Sequence, residues 1–97
     1  MKIEEILKQA AKIISSEIEG NYQLFLFGSR AREIHDEKCD IDIGILTDSQ
    51  ISGKKWLNIQ EKLEQIPTLL KIDFVDFNSV NEEFKKVALK YTKNIKV

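Results

Sequence analysis

Asp40 and Asp42 lie two residues apart in "CDIDIGIL", where isoleucines at 41, 43 and 45 mark a buried β-strand over Cys39 to Leu46. Residues two apart on a strand project from one face, so both carboxylates point one way and the isoleucines the other. In "KIDFVDF", Asp73 shares a face with Val75 and Phe77, while Asp76 alternates to the face of Ile72 and Phe74 and is read as ending the strand. Were Asp40, Asp42 and Asp73 to converge, their charges would repel and raise the carboxyl pKa values unless a divalent cation neutralised them. Such hard oxygen donors suit magnesium or manganese, held through carboxylates, waters and substrate phosphates.

An anion site is read in "FLFGSRARE". Gly28-Ser29 falls between a strand and a short helix, where unpaired N–H groups and the positive end of the helix dipole favour a phosphate. Glycine lets the backbone approach the anion closely, and the Ser29 hydroxyl both caps the helix and adds a hydrogen bond. Arg30 and Arg32 bring positive charge. Arg32 is the candidate for a phosphate or partner contact, with surface ion pairs to Glu33 or Asp36 as the alternative for both arginines. A phosphate cradle facing three acids implies metal-assisted chemistry on a nucleoside triphosphate. His35, in a charged loop, has no partners for a nucleophilic triad. Cys39 is read as a small buried residue.

The elements that must hold these residues alternate. Lys2 to Ile18 is an amphipathic helix with Ile3, Ile6, Leu7, Ala10, Ile13, Ile14 and Ile18 at helical spacing, stopped by Gly20-Asn21. Tyr22 to Phe27 is an aromatic-rich strand. Lys54 to Ile66 is a helix whose Trp56, Ile59 and Leu63 belong to the core, followed by Pro67. Leu70 to Phe77 is the third strand, and Ser79 to Glu82 has the form of a capping box opening a last helix through Tyr91. The basic stretch "KKVALKYTKNIK" is read as a solvated face. The expected order is α-β-(short α)-β-α-β-α: an α/β (α+β) single domain over residues 1–97, with a small mixed sheet and helices packed on one face.

Composition narrows the function. The chain has 97 residues, 42% hydrophobic and 32% charged, with a formal net charge of -1. That balance excludes the broad basic footprint of a protein gripping nucleic acid through its phosphates, while leaving room for a nucleotide site. One cysteine makes no internal disulfide. No apolar run reaches membrane-spanning length and the first residues include acids, so the expected location is cytoplasmic.

"GSRAR", then "CDIDIGI", then "IDFVD", in this order of elements, resembles the minimal nucleotidyltransferases of the DNA-polymerase-β-like superfamily. The resemblance covers nearly the whole chain and implies the nucleotidyltransferase fold. It implies that Gly28 and Ser29 hold the triphosphate, that Asp40 and Asp42 bind the metals, and that Asp73 completes the cluster and acts as base toward an acceptor hydroxyl. The implied reaction moves AMP from ATP, with magnesium, to a hydroxyl of a partner protein. That partner is expected to be a HEPN-type helical toxin for which this chain is the antitoxin. The alternatives are an antitoxin acting by contact alone, or transfer to a small-molecule or nucleic-acid hydroxyl. Two positions depart from the family: Glu33 stands where glycine is usual, and Cys39 where serine is usual.

Overall fold

The computed structural model describes residues 2–32 and 38–95. Among the described residues seven elements follow one another: α1 (Ile3–Glu17), β1 (Tyr22–Phe27), β2 (Ile41–Thr47), α2 (Gly53–Glu64), β3 (Ile72–Asp76), α3 (Glu82–Ala88) and β4 (Lys93–Asn94). The sheet has the order β3-β2-β1-β4. β1 runs antiparallel to both neighbours, whereas β2 and β3 are parallel. The α2 crossover makes that parallel pair possible, since parallel strands need a long connection.

Alternation along the strands sorts the side chains onto two faces. Leu24 and Leu26 of β1, Ile41, Ile43 and Ile45 of β2 and Phe74 of β3 pack with Ile6, Ala10 and Ile14 of α1 and Ile59 and Leu63 of α2. Six of these, the three β2 isoleucines with Ile6, Ile14 and Ile59, have no solvent exposure at all. Trp56 stacks flat on Phe74 at 4.6 Å, as a core residue. An ion pair of 2.8 Å between Lys62 and Glu17 joins the carboxyl-terminal ends of α2 and α1.

The opposite face is aromatic. Phe25, Phe27 and Phe77 form a second buried cluster, with Phe25–Phe77 and Phe27–Phe77 edge-to-face at 4.9 and 5.0 Å. These are favoured geometries for aromatic pairs. Gly44 of β2 makes room for them: a Cβ there would fall 2.6 Å from Phe77 Cε1 and equally close to the Phe25 ring. α3 lies over this face through Phe84, whose ring is 6.2 Å from Phe27 and 5.8 Å from Phe77. α1 and α2 thus cover one face, and α3 covers the aromatic part of the other.

Several boundaries differ from the sequence reading, each for a local reason. β2 starts at Ile41, so Asp40 stands just before the strand and is exposed. Residues 29–32 form a turn closed by the Arg32 N–H on the Gly28 carbonyl, not a helix; Glu33, the end of the expected short helix, and His35, Asp36 and Glu37 of the expected charged loop lie outside the described residues. The cap of α3 is Asn81, whose side-chain oxygen accepts from the Phe84 N–H at 2.7 Å. Ser79 instead donates to Asp76 Oδ2, and Asp76 Oδ1 accepts from the Asn78 N–H, so Asp76 closes the turn after β3. Past α3 the chain adds a two-residue strand against Phe25 and Leu26 of β1.

Candidate active site

Parallel pairing places Asp42 directly beside Asp73, and antiparallel pairing places Phe27 on the other side of Asp42. Since β1 ends at Phe27, the turn that follows passes over the same spot. Gly28 takes φ +73°, the left-handed region where a side chain is disfavoured. A Cβ at this position would run into Asp42 Oδ2 and lie 3.3 Å from its Cγ. Glycine is therefore required twice over, by backbone angle and by the carboxylate beneath it. The Gly28-Ser29 turn and the acid pair form one continuous site.

Burial holds the Asp42 carboxyl above its ordinary pKa, reinforced by repulsion from Asp73 and Asp40 and by a hydrogen bond with Asp73. Lys71 opposes this rise. Its ammonium lies 3.5 Å from Asp73 Oδ1, an exposed pairing that supplies limited compensation. Carboxyl pKa values raised by burial and like charge cluster at functional sites.

The expected triad is thus assembled in part. Asp42 and Asp73 are brought together on one face; Asp40, ahead of the strand, is near enough to act on Asp42 electrostatically. Among the described residues no three histidine, cysteine, aspartate or glutamate side chains are gathered at metal-holding distance. The donor chemistry nonetheless fits a hard divalent cation: two adjoining half-buried carboxylates, one held protonation-prone by its neighbours, with a third two residues away. Asp42 and Asp73 would hold such an ion, and Asp40 could reach it from the loop.

Two further residues matter that sequence reading placed elsewhere. Arg30 is buried, and its Nε and Nη2 both donate to the Cys39 carbonyl, at 3.3 and 2.9 Å. It ties the turn after β1 to the residue preceding Asp40; Glu33 and Asp36, the expected ion-pair partners, lie outside the described residues. Cys39 is half-buried, and its carbonyl is the part of it that the site uses. Arg32 is exposed and packs over the Tyr91 ring at 5.4 Å. Arg32 and the Gly28-Ser29 turn form one side of an open cleft of about 540 Å³, with Phe84, Ala88 and Tyr91 on the other. The sequence carries the last helix through Tyr91, but α3 ends at Ala88 and Tyr91, beyond it, lines the cleft because of how α3 packs and not because of its spacing.

Residues 1–96 match the family model described as "Polymerase beta, Nucleotidyltransferase". The chain belongs to this family. Among similar proteins, "Putative protein adenylyltransferase MJ1217" from Methanocaldococcus jannaschii is 31% identical over 88 residues, 91% of this chain and 88% of the relative. The nucleotidyltransferase fold is shared with a toxin–antitoxin crystal structure containing AMP-PNP, at TM-score 0.72 and 20% identity, covering 93% of this chain and 72% of that one. It is also shared with a complex of MNT antitoxin and tri-AMPylated HEPN toxin from Shewanella oneidensis, at TM-score 0.71 and 19% identity, covering 97% and 72%. At such identities these likenesses establish the fold. Among the described residues, no helix is long and apolar enough to cross a membrane.

Proposed function

We propose that this nucleotidyltransferase transfers AMP from ATP to a hydroxyl of a partner protein, and that the partner is a HEPN-type helical protein. The observation that carries the reading is the Asp42–Asp73 pair lying directly beneath the Gly28 turn. Family membership supports the reaction class. The name of the M. jannaschii relative and the HEPN–MNT complex among the structural neighbours support a protein acceptor.

In this reading the turn N–H groups and the Ser29 hydroxyl hold the triphosphate, and the missing Cβ of Gly28 lets phosphate and carboxylate approach each other. Asp42 and Asp73, with Asp40 from the loop, hold magnesium, which when bound lowers the pKa of the attacking hydroxyl and offsets charge on the triphosphate. Asp73 accepts the hydroxyl proton as the acceptor oxygen bonds to the α-phosphorus. The bond from that phosphorus to the bridging oxygen breaks, and pyrophosphate leaves. Arg32, at the rim, contacts phosphate or partner.

The test is incubation with ATP labelled at the α-phosphate, magnesium and the product of the adjacent gene. Label on the partner with wild type and its loss with Asp42→Asn is the expected result. Equal labelling by both proteins would overturn the assignment. Neutralisation of the partner by Asp40→Asn/Asp42→Asn without ATP would instead show an antitoxin acting by contact.

A further inference from the structure

The cleft beside the Gly28-Ser29 turn has a wall that the triphosphate reading does not use. Its far side is built from α3 and the residues after it: Phe84, Val87, Ala88, Lys90 and Tyr91. Phe84 and Tyr91 are 43% and 56% exposed, and Val87 71%. Aromatic and aliphatic surface is thus left uncovered within a concavity instead of being turned into the core. The volume of about 540 Å³ lies within the ~300–1,000 Å³ of small-molecule sites. A flat π-system already rests on this wall, since the Arg32 guanidinium packs on the Tyr91 ring at 5.4 Å.

We infer that Tyr91 and α3 form the base-binding wall of the nucleotide site, and that this wall selects purines by stacking while distinguishing poorly between adenine and guanine. The inference rests on the nucleotide reading above and goes beyond it by assigning the base a place and a selectivity. A base entering the cleft takes the Tyr91 ring face, and the Arg32 guanidinium turns toward the phosphates at Ser29, three residues away in the chain. Among the described residues, the polar side chains lining the cleft are Ser29, Arg32, Lys90 and the Tyr91 hydroxyl. The two cations serve the phosphates, and among the described residues none of the lining side chains is an amide or carboxylate that would read a base edge with paired donor and acceptor. Sites that reject one base strongly do so by leaving such groups unpaired. Stacking, by contrast, accepts every base and strengthens with ring area.

Calorimetric titration of the full chain, in magnesium, with ATP, GTP, CTP and inorganic tripolyphosphate tests this. ATP and GTP should bind within about threefold of each other, and CTP about tenfold more weakly. Tyr91→Ala should weaken ATP about tenfold and leave tripolyphosphate unchanged, and Tyr91→Phe should restore ATP binding, as loss and return of a stacking platform require. Tyr91 is exposed, so the variants fold. Unchanged ATP affinity in Tyr91→Ala, with tripolyphosphate still bound, would overturn the base site and leave the nucleotide reading intact. A preference above about a hundredfold between ATP and GTP would overturn the stacking selectivity. Failure of wild type to bind either ATP or tripolyphosphate would overturn both readings.

Discussion

Strand β2 presents two environments one residue apart. Toward α1 and α2 it turns Ile41, Ile43 and Ile45, all fully buried in an aliphatic core. Toward the other side it turns Asp42 and Gly44, the first against a second carboxylate, the second under two phenylalanine rings. Burying an isoleucine contributes about 1.5–3 kcal/mol relative to exposure. The acid face works against folding, because a half-buried carboxylate beside like charges resists ionisation. The aliphatic core, with the aromatic cluster on the other face, therefore supplies stability that the acid pair consumes. Strained or unfavourable groups persist at functional sites only where the surroundings over-determine them.

The largest effect should come from weakening the supplying face. Ile43→Ala deletes buried methyl and methylene groups at a position with no exposure, and should cost about 2–5 kcal/mol. Thermal unfolding would show this as a fall in Tm of more than about 8 °C for a domain of this size. Below that temperature the binding properties of the acid face should survive, because its side chains do not touch the deleted group. A loss under about 1 kcal/mol would mean that the helical layer is looser than the packing suggests. The division of labour between the faces would then fail.

Gly28→Ala acts on the consuming face. A left-handed conformation costs an ordinary residue about 1–2 kcal/mol, and here the new Cβ also displaces the Asp42 carboxylate. Stability should fall by about 2 kcal/mol, less than for Ile43→Ala, while nucleotide binding and transfer fall disproportionately. The checks are Tm and calorimetric ATP affinity on the same preparation. If ATP affinity held while Tm fell, Gly28 would serve the fold alone.

How much of this was legible in the sequence depends on whether local chemistry or distant packing decided it. The parity of Asp42 and Asp73 was legible, because alternation is a property of the strand itself and three isoleucines fix its phase. Gly28-Ser29 was legible for the same reason, as a break in an aromatic strand. Asp40 read as a strand residue, yet the Arg30 tether to Cys39 holds the chain short of pairing, a contact between residues nine apart that no periodicity records. Ser79 and Asn81 are both good caps. Asp76 decides between them by taking the Ser79 hydroxyl. β4 is two polar residues long and exists only because β1 offers it an edge. Tyr91 and Lys90 acquire meaning only when α3 folds back over the aromatic face.

The finest test of the two faces is a substitution that should stabilise. Asp42→Asn keeps the shape of the side chain and removes its charge. In the folded chain the Asp42 carboxyl titrates above its ordinary value of 3.8, so between 3.8 and the folded value the native state holds more protons than the unfolded one. Stability then falls as pH rises through that window, and the penalty is complete above it. The asparagine variant lacks the penalty. In chelator, its Tm should exceed that of wild type by a small margin at neutral pH, and the margin should shrink as pH falls toward 3.8. Added magnesium should raise wild type and not the variant, since binding to the native state alone stabilises it by mass action. A variant no more stable than wild type at neutral pH would show that the Lys71–Asp73 pair already relieves the acid face. The contrast between the faces of β2 would then be one of shape and not of energy.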